Sequence, residues 1–194
     1  MISIRTLEIA GWASVLSALR LPFGKDCRSD VNAQWSEDYT TEIPTIGTNT
    51  KISINEKDLK LMSALVKRGD SHSKCLRGLV VYMEIIAPVY WWCEAECYRA
   101  GHERLSSQST MHVDCKGLSG YELVKAKSEI PMGKMLKKID MFSYQCLRNI
   151  VKQRHDHRLP EWREFINALH ALPFAEELIF VGLNNNNDGK ETNT

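Results

Sequence analysis

The sequence predicts an α+β domain in which helices pack on a small sheet. Three observations carry that expectation. Residues 79–86, LVVYMEII, are rich in β-branched and aromatic side chains and read as a strand, with Glu84 as the one charge in the run. Leu59, Met62, Leu65 and Val66 recur at helical spacing, and Gly69 stands where that helix would stop. Met135, Ile139, Phe142, Cys146 and Ile150 give a longer stripe of the same period over residues 134–152.

Along the chain, Ile9, Trp12, Val15, Leu16 and Leu19 fit a short amphipathic helix over residues 7–20, ahead of Pro22 and Gly24. Residues 24–50 are polar and rich in turn formers, which reads as loop. Asn55 caps the next helix, supported by Asp58 in its first turn. Pro88 stands where a helix starts, carrying Tyr90, Trp91, Trp92 and Cys93 onward. A polar segment then runs as helix and loop to Ser109. Leu159 and Pro160 end the long 134–152 stripe, and a last helix puts Trp162, Phe165, Ile166 and Leu169 on one face before Pro173. Residues 184–194 have no core-forming side chain and read as a disordered polar tail behind a single domain over 1–183. No internal repeat is present.

Bulk properties narrow the function. At 194 residues and 43% hydrophobic composition, the chain can bury a real core. A formal charge of +1 gives no molecule-wide field toward nucleic acid or anionic lipid, and the basic residues form no stripe with aromatic side chains between them. A dedicated nucleic-acid binder is therefore not expected. The six cysteines are expected as free thiols in a reducing cytoplasm, since the opening residues lack a signal-peptide pattern. Glu84 and Pro88 interrupt the longest apolar run, so no bilayer span is expected.

Taken in order, His72, a strand ending in Ala87 and Pro88, a polar segment finishing in Ser109, Pro131, a long helix and Arg154 resemble the flavin-dependent thymidylate synthases. The resemblance spans roughly residues 59–165. Positions 72 to 88 and 131 to 154 fit the family's spacing without a gap; Ile130-Pro131 stands for its Leu-Pro, and Glu161-Trp162-Arg163-Glu164 echoes its Gln-Trp-Glu turn. The departures fall on charged positions. Where the family has Arg-His-Arg, the gap-free reading gives Cys97-Tyr98-Arg99, which keeps only the second arginine. Ser109 holds the family's serine position, while its glutamate, arginine and tyrosine become Ser107, Met111 and His112. The helix Asn and Arg become Ser143 and Gln145, and the arginine before Leu-Pro becomes Lys127. The stretch from position 110 to 127 is also short where the family has several dozen residues.

The resemblance implies a thymidylate synthase-complementing-protein-like fold and a homo-oligomer, a tetramer, because that family builds its sites where subunits meet. It implies FAD as cofactor, dUMP as substrate and methylenetetrahydrofolate as carbon donor, with reduced flavin supplying the hydride and the protein supplying orientation and charge. It places Ser109 at the pyrimidine as the catalytic candidate. His72, Arg99 and His102 are the flavin candidates, and Arg104, Lys127, Gln145 and Arg154 the nucleotide candidates. Guanidinium groups suit phosphate because they grip it at two points. Each such bond is worth roughly 1.5–3 kcal/mol, so three lost arginines weaken nucleotide binding by several kcal/mol unless Arg99, His102 and Arg104 compensate.

Plainer readings stand beside these. Ser109 lies in a Ser/Thr run typical of turns and caps, His72 follows a helix-ending glycine, and Arg154 near a helix C-terminus complements the helix dipole. Cys93 and Cys97 with His102 supply three of the four ligands of a structural zinc site, so no metal is expected. The run Arg154-His155-Asp156-His157-Arg158 reads as a polar inter-helix loop. The functional expectation is a divergent flavin or nucleotide binder in which dUMP methylation is doubtful, with a non-catalytic relative kept for interaction or regulation as the alternative.

Overall fold

The computed structural model describes residues 1–24, 40–42 and 51–183. The polar tail and most of the 24–50 loop lie outside the described residues. Four antiparallel strands form the main sheet in the order β1-β4-β6-β5, where β1 is Ser3–Ala10, β4 is Val80–Pro88, β5 is His102–Ser107 and β6 is Met135–Ser143. A two-stranded ribbon joins β2, Thr40–Glu42, to β3, Lys51–Ser53. The helices are α1 (Trp12–Arg20), α2 (Glu56–Lys67), α3 (Cys75–Gly78), α4 (Val89–Ala95), α5 (Thr110–Val113), α6 (Gly120–Ser128), α7 (Tyr144–Arg154) and α8 (Pro160–Leu169). A π-helical turn, Glu176–Phe180, closes the described chain. Among the described residues no helix is long and apolar enough to cross a membrane.

The expected strand is β4, and it is central. Val81, Met83, Ile85 and Ala87 alternate into the core, where they meet Trp91, Trp92, Trp162 and Phe165 from α4 and α8. Glu84 points to the opposite face, where Arg5 of β1 and Lys137 of β6 pair with it at 3.2 Å each. Pro88 caps α4, and Asn55 caps α2 by accepting from the Lys57 N–H at 2.9 Å, both as the sequence indicates.

Four segments differ from their sequence reading. Residues 40–42, read as loop, form β2, and residues 102–107, read within a polar helix and loop, form β5, a strand the hydrophobic pattern hides because His102 and Arg104 turn inward. Residues 134–152 are not one helix: β6 runs to Ser143, and α7 begins at Tyr144 with the Ser143 hydroxyl accepting from the Cys146 N–H at 3.1 Å. Residues 7–20 likewise divide into β1 and α1 at Gly11, whose φ of 97° makes the turn. That glycine is obligatory, because a Cβ there would lie 1.9 Å from the Gly78 carbonyl oxygen.

Candidate functional site

The inner face of β6 carries two charges, Lys138 and Asp140, beside Phe142, and all three are buried. The register pairs His102 of β5 with Phe142 and Arg104 with Asp140, which gathers four polar side chains under α4. Asp140 has no solvent exposure. Its Oδ2 accepts from His102 Nε2 at 2.7 Å, while His102 Nδ1 lies 2.8 Å from the Tyr98 carbonyl oxygen. Both ring nitrogens thus face an oxygen, which fixes the orientation of the ring between Asp140 and Tyr98. The ring stacks on Phe142 at 4.3 Å.

Arg104 grips the same carboxylate at two points, Nε to Oδ1 and Nη2 to Oδ2, each at 3.1 Å. Its remaining nitrogen donates to Glu96, which Lys138 also reaches at 2.9 Å. Both cations lie over the Trp92 ring, Arg104 at 5.1 Å and Lys138 at 4.5 Å. Burial pushes the Asp140 carboxyl up, yet the bonds from His102 and Arg104 and their charges hold it below the ordinary aspartate value. The Lys138 hydrogen bond, followed by that of Arg104, lowers Glu96 in the same way against its desolvation.

Tyr98 connects this cluster to Arg154 at the end of α7. Its carbonyl faces His102, and its hydroxyl accepts from Arg154 Nε at 2.8 Å. Arg154 Nη1 donates to Glu94 at 2.9 Å, and its guanidinium lies 4.9 Å from the Trp162 ring centre. The Trp162 indole N–H meets the same Glu94 oxygen at 2.8 Å, with His157 Nε2 at 3.4 Å. Arg104, Lys138 and Arg154 are therefore matched by Asp140, Glu96 and Glu94 within the chain.

Of the sequence candidates, His102, Arg104 and Arg154 come together in this network. Arg99 lies beside it, exposed, with its carbonyl accepting from the His102 N–H. Ser109 and Lys127 share another place: Ser109 caps α5 through its backbone, and Lys127 of α6 reaches the neighbouring Thr110 hydroxyl. Gln145 is buried elsewhere, accepting from Ser73 Oγ at 2.9 Å and donating to Asp70 and Asn149. His72 is exposed in the turn after α2, its N–H bonded to the Gly69 carbonyl at 3.0 Å.

Sequence reasoning missed Glu94, Glu96, Lys138, Asp140 and the connecting Tyr98. The alternation of Lys138, Asp140 and Phe142 was the available signal, and it is visible only once residues 135–143 are taken as a strand. Among the described residues no group of three or more His, Cys, Asp or Glu side chains is placed to hold a metal ion. Cys93 and Cys97 are exposed, and the Cys97 thiol donates to the Cys93 carbonyl at 3.8 Å.

A phosphorylated ligand such as a flavin dinucleotide needs donors not already committed. Nη2 of Arg154 and the side chain of Arg99 have no hydrogen-bond partner among the described residues and meet that need in part. The Arg104 fork is taken by Asp140.

No family model and no curated protein sequence matches the chain. Solved structures do. A flavin-dependent thymidylate synthase from Helicobacter pylori with FAD and dUMP aligns with a TM-score of 0.64 at 14% identity, covering 94% of this chain and 99% of that one. A second structure of that enzyme complexed with FAD and dUMP gives 0.63 at 14%, covering 92% and 98%. A UMP/dUMP methylase, PolB from Streptomyces cacaoi, bound with 5-Br dUMP gives 0.53 at 9%, covering 78% and 77%. At these identities the likeness concerns the backbone, and the chain has the α+β fold of the flavin-dependent thymidylate synthases.

Proposed function

We infer that the chain binds a flavin or a pyrimidine nucleotide on this scaffold. The observation that carries the reading is the convergence of His102, Arg104 and Arg154 in one network faced by Trp92 and Trp162, in a fold whose solved neighbours hold FAD and dUMP. Arg154 Nη2 and Arg99 would meet a phosphate, while Trp92 and Trp162, buried beneath the cations, would hold those cations in place. A bound flavin would supply hydride chemistry; the chain's part is to orient its partner and exclude water. Ser109 and Lys127 lie on a separate segment, and they would join such a site where copies of the chain assemble. The FAD-dependent transfer of a methyl group to dUMP, with a folate, remains the finest form of this proposal.

One observation favours a second reading, a non-catalytic relative. The arginine fork that would grip phosphate closes on Asp140 instead, and Glu94 and Glu96 hold the other cations. A carboxylate already in place competes with an incoming anion for the same donors.

Purification and calorimetry decide between them. Flavin absorbance in the purified protein, or saturable binding of FAD, FMN or dUMP that weakens in an Arg154→Ala variant, is the expected result. A colourless protein with no heat of binding for any of the three, while folded and monodisperse, overturns the binding reading and leaves the non-catalytic one. The mass of the purified species tests the homo-oligomer.

A further inference from the structure

A cavity of about 590 Å³ lies between α1, α2 and the turn that leads into β4. None of its lining residues belongs to the network around Asp140. Val15, Ala18 and Leu19 of α1 line one side, and Leu61 and Leu65, one helical turn apart on α2, line another. Its outline is set by backbone contact. Gly78 at the end of α3 allows α1 to approach so closely that a Cβ there would meet the Val15 side chain at 2.7 Å, and Gly11 does the same from the other strand end. Ser14 and Ala18 then present small side chains where larger ones would fill the space, and a shallower depression continues across α1 past Ala13, Ser17 and Leu21.

The volume falls within the roughly 300–1,000 Å³ of small-molecule sites, and the walls are mainly apolar. The ionisable side chains at its edge are His72, Lys74 and the Cys75 thiol, which burial pushes further toward its neutral form. Among the described residues no acidic side chain lines it. Asp70, the carboxylate in the same turn, is engaged by Lys152 and Gln145, and Asp58 of α2 by Arg20. Among the described residues neither Lys74 nor His72 has a carboxylate partner. Among the described residues the cavity thus joins an apolar interior to an edge where the Lys74 ammonium has no carboxylate partner, unlike the network around Asp140.

We propose that this cavity binds an amphipathic carboxylate, a straight acyl chain lying between Val15, Leu61 and Leu65 with its head group at Lys74 and His72. This goes beyond the flavin or nucleotide reading and does not depend on it.

The test is calorimetric titration of the full chain with hexanoate, octanoate, decanoate and dodecanoate, each below its micelle threshold. Saturable one-to-one binding is expected, tightening about fourfold per added methylene until the cavity is full. Decanol, with the tail and no charge, should bind at least tenfold more weakly than decanoate. Ala18→Trp, at an exposed position that tolerates bulk, should abolish binding by filling the cavity, and Lys74→Glu should weaken it at least tenfold; circular dichroism checks that both variants fold. Leu65→Trp fills the cavity from the other side should Ala18→Trp fail to fold. Absence of saturable binding to dodecanoate overturns the proposal. So does affinity unchanged by filling the cavity, equal affinity for decanol, or co-sedimentation with phosphatidylglycerol vesicles without binding of any free carboxylate.

Discussion

Arg104 holds Asp140 through two parallel hydrogen bonds of 3.1 Å, from neighbouring strands in register, on a carboxylate with no solvent exposure. Replacing Asp140 by Asn keeps the shape and removes the charge. The Asn oxygen can replace Oδ2, which accepts from both His102 and Arg104 Nη2, but its amide nitrogen then meets Arg104 Nε as donor against donor, and the partly buried cation loses its counter-charge. Breaking a buried pair by removing one partner costs about 3–5 kcal/mol, so the Asp140→Asn variant should unfold at distinctly lower urea with an unchanged slope.

Acid should destabilise the native chain through the same carboxylate. Asp140 titrates below its ordinary value in the folded state, despite its burial, because His102 and Arg104 favour the anion. Its folded pKa lies under its unfolded one, near 3.9. The stability it contributes is complete above the unfolded value and falls as pH drops through the folded one. Urea midpoints measured from pH 6 down to pH 2.5 should therefore drop more steeply in the native protein than in Asp140→Asn. Parallel curves would show that the carboxylate is not held as an anion.

The same charges explain which parts of the fold the sequence made visible. β4 was legible because its inner face is apolar at every second residue, Val81, Met83, Ile85 and Ala87. On β6 the inner face is Lys138, Asp140 and Phe142, so the alternation that marks a strand is inverted by the polar cluster it carries, and Met135, Ile139 and Phe142 then match a helix. β5 is hidden in the same way, with His102 and Arg104 turned inward and Leu105 exposed. In β1 a register shift between Thr6 and Glu8 moves the inward positions from Ile2 and Ile4 to Ile9, which breaks the period. Arg154 and Arg104 could be named from sequence. Their carboxylate partners could not, since Glu94, Glu96 and Asp140 come from α4, the turn after it and β6.

Gly101 should tolerate no side chain. Its φ of 77° lies in the left-handed region, and a Cβ would come within 2.2 Å of the Ser143 hydroxyl. That hydroxyl caps α7, and the Ser143 N–H donates to the Gly101 carbonyl at 2.7 Å. Gly101→Ala thus combines about 1–2 kcal/mol of backbone strain with loss of a cap worth about 1 kcal/mol. Ser143→Ala should cost only the second part. Thermal unfolding of the two variants checks the difference, and equal losses would mean that the backbone conformation contributes nothing.

Gln145 should prove structural. Its amide is buried among Ser73, Asp70 and Asn149, away from the Arg104 and Arg154 network. Gln145→Ala leaves the Ser73 hydroxyl without its acceptor, a loss of about 1–3 kcal/mol. Affinity for any nucleotide or flavin that binds should be unchanged, and a drop in affinity greater than the drop in stability would restore it as a ligand contact.

Glu94 decides whether Arg154 can take a phosphate. Its Oε2 receives Arg154, the Trp162 indole and His157, so it neutralises the cation that has a nitrogen to spare. Gln at this position retains a carbonyl oxygen for the indole N–H while removing the charge. A phosphate brought to Arg154 in the native chain meets Glu94 as a like charge, and in Glu94→Gln it does not. A charge-assisted bond contributes about 1.5–3 kcal/mol, so dUMP and inorganic phosphate should bind Glu94→Gln at least about tenfold more tightly than the native chain, with the gain shrinking as salt is raised. If calorimetry shows the same gain in Glu94→Gln combined with Arg154→Ala, the anion is not meeting Arg154, and the carboxylate acts only through the general field of the surface.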